Sequence, residues 1–193
     1  MVRKGRPHSR RRGKKRHNKH PISIRVIAIV TEQTPPNPLE EAIARVAEAQ
    51  GSETDEDTLV SNRRDVLYAL AGARVSVLLE TAPETVDTPP ETGTPLLFVT
   101  DGDDHEQAML ALFTRPDWAL AFHATEGGDF SHPAEVPAPW ALLQVPPGAG
   151  VMINPNRMPT FRIGPEVAGS LRDETMKSLE SLQQNGGSPS SLN

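Results

Sequence analysis

Two stretches in the first half of the chain carry apolar residues at helical spacing. The first begins at Asn37, a favourable N-cap that Pro38 follows, and ends at Gly51. The second follows an acidic turn at residues 53–57 and ends at Gly72. The residues that this spacing places toward a core are Leu39, Ile43, Val46, Ala47, Leu59, Val66, Leu67 and Leu70. The pattern therefore predicts that the folded region begins with two helices.

Short apolar runs and proline-rich segments alternate through the rest of the chain. The runs predict strands at residues 75–79, 95–99, 118–123, 151–153 and 160–163. The segments 81–94 and 125–139 are rich in proline and lack periodicity, which predicts two loops. The last two strands are separated by the turn residues at 154–156, so they are expected to pair with each other.

Three further helical segments complete the secondary-structure prediction. Asp101–Asp104 provides acidic residues at the start of a helix that extends to Phe113. Trp140–Leu143 is predicted to form one helical turn. A last helix is predicted from Pro165 to about Leu182.

The order of these elements predicts an α/β (α+β) fold in which a single mixed sheet is flanked by helices. The domain is expected to span residues 37–183, which is enough chain to bury one modest core. Residues 1–36 are expected to be a disordered basic head and linker, and residues 184–193 a disordered polar tail.

Charge is divided unevenly between the head and the rest of the chain. Residues 1–20 contain half of the 20 Lys and Arg residues and none of the 25 Asp and Glu residues. A flexible cationic segment of this kind binds nucleic-acid phosphates, without sequence preference where aromatic and base-reading residues are missing. Two alternatives are that the head folds onto the acidic body and that translation starts further downstream. The predicted nucleic-acid contacts are Arg10, Arg11, Arg12, Lys14, Lys15 and Arg16.

Composition narrows the compartment and the chemistry. The chain has no cysteine, which excludes disulfides, thiolate zinc sites and a cysteine nucleophile, and fits a reducing cytoplasm. The basic start and the apolar run at 22–30 resemble a secretory signal, but Arg25 interrupts the run and no small-residue cleavage site follows. Motifs of the HExxH, GxGxxG, GxSxG and P-loop types are missing from the sequence. We therefore predict a cytoplasmic, non-enzymatic protein that requires no cofactor.

One group of residues supports a competing hypothesis, a metal-dependent enzyme. Asp101, Asp103 and His105 are ligands that a hard cation such as Mg²⁺ accepts, and His123 and His132 are further candidates for acid–base chemistry. The alternative interpretation is that the acidic residues complement the start of a helix and that the histidines are structural. The EF-hand pattern fails, because its twelfth position is apolar in this chain. The second interpretation is favoured, so no metal site is predicted.

The sequence Asn154-Pro155-Asn156-Arg157 is the most distinctive local feature. One interpretation is a partner or ligand site in which Asn154 and Arg157 act from the end of a strand. The other, which is favoured, is a tight turn that joins two strands. Trp140, which has prolines on its N-terminal side, is a candidate anchor for a protein partner. The predicted partner-binding residues are therefore Trp140, Asn154, Pro155 and Arg157.

Three segments in order resemble those of a known family. They are Leu70–Leu78, Pro95–Asp101 and Gly150–Asn156, and together they are similar to the N-terminal domain of the SseB family, named for enhanced serine sensitivity. The similarity covers about residues 37–175, although Asn156 stands where the family usually has glycine. The family has no established reaction. The resemblance therefore implies a mixed α and β fold and an accessory or protein-interaction role.

Overall fold

A computed structural model describes residues 37–83, 94–101, 106–126 and 128–186. The predictions for the head, for most of the 81–94 loop and for the last residues of the tail fall outside these ranges. The helices are α1 (Pro38–Gln50), α2 (Glu56–Gly72), α3 (Pro116–Glu126), α4 (Ala138–Leu143) and α5 (Pro165–Gly186). The strands are β1 (Arg74–Leu79), β2 (Leu97–Asp101), β3 (Glu106–Leu112), β4 (His132–Pro137), β5 (Gly150–Ile153) and β6 (Phe161–Ile163).

The first two helices confirm the prediction from apolar spacing. Asn37 caps α1, because its Oδ1 accepts a hydrogen bond from the backbone N–H of Glu40 at 2.8 Å. Asp55 caps α2 in the same way through the N–H of Thr58, also at 2.8 Å. The apolar faces of both helices pack into the main core, so local capping and burial act together here.

The strands form two hydrogen-bonded sheets rather than the single sheet predicted. A mixed sheet has the order β2-β3-β5-β6, with β3 and β5 parallel, and an antiparallel pair joins β1 to β4. The two sheets meet where the N–H groups of Ser76 and Phe113 each donate to the other's carbonyl, at 2.7 and 2.9 Å. The fold is thus mixed α and β. A second isolated bridge joins Leu79 to Pro95, just before β2, so within the described ranges β1 is connected to the four-stranded sheet only through isolated bridges outside its strands.

Three predicted elements are wrong. The helix predicted at 101–113 is the strand β3, and the strand predicted at 118–123 is the helix α3. The predicted loop at 125–139 contains β4, whose two prolines are tolerated because β4 lies at the edge of its sheet. Buried apolar runs of this length do not reveal their period, and partner strands on both sides make β3 a strand.

Two apolar clusters hold these layers together. The main cluster lies between the helices α1, α2, α4 and α5 and the strands. The smaller one includes Phe113 and α3, where Phe122 lies 5.5 Å from Phe113 and 5.8 Å from Phe98 between ring centroids. None of the helices in the described ranges is long and apolar enough to cross a lipid bilayer.

Candidate functional site

Asn154 lies at the carboxyl end of β5 and its side chain is used inside the protein. The residue is fully buried, with a left-handed backbone φ of 55°. Its Oδ1 accepts hydrogen bonds from the backbone N–H of Thr114 at 2.9 Å and from the Thr114 hydroxyl at 3.2 Å. Its Nδ2 donates to the carbonyl of Pro159 at 3.4 Å. These contacts fix the turn after β5 against the chain that leaves β3, which is the structural interpretation of this motif.

The same contacts extend to the start of α1. The side-chain amide of Asn37 donates to the Thr114 carbonyl at 3.4 Å while its oxygen caps α1. Arg115 donates from Nε and Nη2 to the two carboxylate oxygens of Glu40, each at 2.7 Å. We call these five residues, Asn37, Glu40, Thr114, Arg115 and Asn154, the polar junction. The junction joins α1 to the parallel strands β3 and β5.

The ion pair in the polar junction changes how Glu40 titrates. Hydrogen bonds from Arg115 hold the pKa of the Glu40 carboxyl below its usual value, against the opposing effect of burial. The same pairing raises the pKa of Arg115. The Arg115 guanidinium also lies 5.3 Å from the centroid of the Trp118 ring, a cation–π contact that orients it.

This ion pair predicts a specific pH dependence of stability. Because the pKa of Glu40 is lowered in the folded state, its stabilising effect is present above about pH 4.3, the pKa in an unfolded chain, and is lost as the pH falls through the lower folded value. Glu40→Gln is expected to cost about 1 to 2 kcal/mol at pH 7, since Arg115 remains partly exposed, and less as the pH falls through the lowered folded pKa of Glu40. Urea unfolding from pH 2 to 7 measures this decrease. Glu41→Gln, at the exposed neighbouring position, is the control, and parallel profiles for the two variants would contradict the assignment.

The other residues predicted to bind a partner differ in their solvent exposure. Trp140 on α4 is half-buried and packs against the main core, and Pro155 is buried. Arg157 is exposed, and its backbone N–H donates to the Asn154 carbonyl at 3.1 Å. The turn therefore presents Arg157 to solvent and keeps Asn154 and Pro155 inside. Binding by these residues stays a prediction.

Most residues of the competing metal-site hypothesis lie outside the described ranges. Asp103 and His105 lie outside the described ranges, as do the head residues predicted to contact nucleic acid. Within those ranges, no group of three or more acidic or histidine side chains is arranged to hold a metal ion. His123 is half-buried on α3, and its Nδ1 has no hydrogen-bond partner among the described residues.

An open groove of about 510 Å³ lies between α2 and β6. Arg63 and Leu67 of α2 line one side of this groove, and Thr160–Gly164 and Val167 line the other, with Gln50 at the end of α1. The lining combines apolar side chains with arginine and contains no Asp or Glu. We call this feature the α2–β6 groove.

Helix α2 also exposes Arg64 and Tyr68, which do not line the groove. Tyr68 is 72% exposed, and Arg63 and Arg64 make no ion pair with any residue in the described ranges. Exposed tyrosine and arginine residues are enriched in protein interfaces, where they contribute large contact areas and directional hydrogen bonds. Within the groove itself, Arg63 and Arg162 supply the arginine part of this composition.

The sequence prediction did not include this groove. Arg63 and Arg162 are 99 positions apart in the sequence, and the groove exists only because β6 pairs beside β5 while α2 packs on the same core. The available signal was the pair of arginines near Tyr68 on a predicted helix. That signal identifies an exposed face but not what lies across from it.

Comparisons with protein-family models, with curated proteins and with solved structures found no match. The described residues form a mixed α and β domain with an open groove beside an edge strand.

Proposed function

We propose that this chain is a non-enzymatic protein-interaction domain that binds a segment of a partner protein in the α2–β6 groove. The single observation that carries the proposal is the groove itself, which is open, lined by apolar and arginine side chains, and adjacent to the edge strand β6. Edge strands with unpaired backbone groups are places where other chains add.

The sequence supports the same role in two further ways. It contains no HExxH, GxGxxG, GxSxG or P-loop motif, and three of its segments resemble the N-terminal domain of the SseB family, for which no reaction is established. An SseB-like accessory domain acting in the cytoplasm is therefore the fuller form of the proposal. The missing cysteines fit that compartment.

Site-specific photo-crosslinking in cells tests the proposal. With p-benzoylphenylalanine at Val167 in the groove, we expect one discrete crosslinked adduct, because this side chain is 44% exposed and faces the bound segment. The matched control is Leu120, which is 48% exposed on α3 and does not line the groove. Adding Leu67→Glu should remove the adduct, because the charge occupies the apolar wall. Equal crosslinking from Val167 and Leu120 would contradict the proposal.

A second candidate function rests on the charge of residues 1–20, which hold half of the Lys and Arg residues of the chain. We propose that this head tethers the protein to nucleic acid or to the ribosome without sequence preference. Deleting residues 1–20 is expected to abolish retention on a nucleic-acid column at low salt. Unchanged retention would remove this candidate.

A further inference from the structure

We propose that the segment bound in the α2–β6 groove is an extended, acidic peptide that joins the four-stranded sheet as an additional strand beside β6. This inference rests on the proposed function, since it specifies the chemistry of the partner at the same site. It follows from the backbone of β6, from the charges around the groove, and from the cost of pairing β6 with itself.

The strand β6 has a free edge. This strand is last in the order β2-β3-β5-β6 and pairs only with β5, through Phe161, Arg162 and Ile163. Alternate residues of an edge strand direct their N–H and C=O groups away from the partner strand, so these groups are available to another chain. Thr160 extends the same edge along the groove, whereas the carbonyl of Gly164 already accepts a hydrogen bond from the N–H of Ala168 at 2.9 Å. An extended peptide satisfies the remaining outward backbone groups of β6 directly.

Arginine side chains lie on both sides of this free edge. Successive side chains of an added strand point to opposite faces of the sheet. On one face they meet α2, where Arg63 lies at the rim and Leu67 forms the apolar wall. On the other face lies the side chain of Arg162, which donates to Oε1 of Gln107. A carboxylate on either face of the added strand therefore lies on the same side of the sheet as an arginine side chain.

The absence of opposing charge in the groove strengthens this argument. The chain carries 25 acidic and 20 basic side chains, and half of the basic ones belong to residues 1–20, yet no acidic residue lines the groove. Arg63 makes no ion pair within the described ranges. The groove is thus a locally basic surface on an acidic body, and an acidic segment complements it.

The free edge of β6 fits a different protein better than it fits a second copy of this chain. Two copies that joined through β6 around a two-fold axis centred on the strand would place Arg162 opposite Arg162. Like charges directly opposite each other destabilise a strand pair. Pairing of β6 with β6 of a second copy is therefore unfavourable, and a segment of opposite charge is the favoured partner.

Nuclear magnetic resonance titration of the full chain with short synthetic peptides tests the inference. A peptide of alternating valine and glutamate is expected to shift the amide resonances of residues 160–164. The same peptide with lysine in place of glutamate should not, because its lysines meet an arginine on whichever face of the sheet they occupy. Arg63→Glu is expected to weaken binding of the glutamate peptide about tenfold, from the loss of one ion pair and the gain of a repulsion. Arg64→Glu is the matched control and is expected to change the affinity less than twofold, because Arg64 is exposed on the same helix but does not line the groove.

A backbone-methylated glutamate peptide separates strand addition from simple charge attraction. It has the same charge, so it binds the cationic residues 1–20 equally well, but it cannot donate the hydrogen bonds of a strand. Equal shifts at 160–164 from both glutamate peptides would overturn strand addition, and equal binding of the lysine peptide would overturn the acidic partner. If Val167 crosslinks to a partner while the glutamate peptide does not bind, this inference is wrong and the proposed function stands. If neither occurs, both are wrong.

Discussion

Asn154→Ala is expected to lower the free energy of unfolding by about 3 kcal/mol. The substitution leaves the buried N–H and hydroxyl of Thr114 without their acceptor, which costs about 1 to 3 kcal/mol. It also places alanine at a φ of 55°, a left-handed conformation that asparagine tolerates and that costs other residues about 1 kcal/mol more. Urea denaturation monitored by circular dichroism measures the sum.

Two companion variants separate these contributions. Asn154→Gly removes the backbone cost and retains the loss of hydrogen bonds, so it is expected to lower stability by about 2 kcal/mol. Asn156→Ala changes an exposed residue with nearly the same φ, 58°, and is expected to cost about 1 kcal/mol. If Asn154→Ala and Asn156→Ala are equally destabilising, the side-chain contacts to Thr114 do not hold the turn.

Gly150→Ala is expected to destabilise the protein by a similar amount, about 3 kcal/mol. A Cβ atom at this position meets the carbonyl oxygen of Ile163 at 2.6 Å and the sulfur of Met109 at 2.8 Å. The methionine side chain can move, but the carbonyl belongs to β6, so the β5–β6 pair must separate. Thermal unfolding measures this loss of stability. The affinity for the glutamate peptide is also expected to fall, because β6 forms one edge of the groove and must shift.

Gly164→Ala is the matched control for this substitution. Gly164 follows β6 directly, and a Cβ atom built there meets nothing within 4 Å. It is expected to change stability by less than about 0.5 kcal/mol. Equal effects at the two glycines would show that close packing of β5 against β6 is not what makes Gly150 necessary.

The elements that the sequence predicted well carry their own end signals. Asn37 and Gly51 bound α1, Gly72 ends α2, and Pro165 begins α5. The turn after β5 was predicted from the Asn-Pro-Asn sequence, and the structure places both asparagines at a positive φ, which asparagine tolerates. In each case a short-range steric or hydrogen-bonding preference decides the conformation.

The candidate site was predicted less well than the fold. The sequence predicted partner contacts at Asn154 and Trp140. Asn154 is fully buried, and Trp140 packs against the core. The sequence did not identify Arg63 or Phe161 as parts of one groove, because residues from separate elements become neighbours only through long-range packing. A turn motif is visible along the chain, whereas a groove is a property of surfaces that face each other.

By itself, the sequence determined where α1, α2, β1, β5, β6 and α5 lie, the mixed α and β class, and the concentration of positive charge before the domain. The tertiary structure alone decided that residues 106–112 form a strand and 116–126 a helix, and that the strands divide into two sheets. The physical reason is that a short, partly buried apolar run satisfies either backbone pattern. For residues 106–112, hydrogen-bond partners on both sides, which come from distant parts of the chain, select the strand.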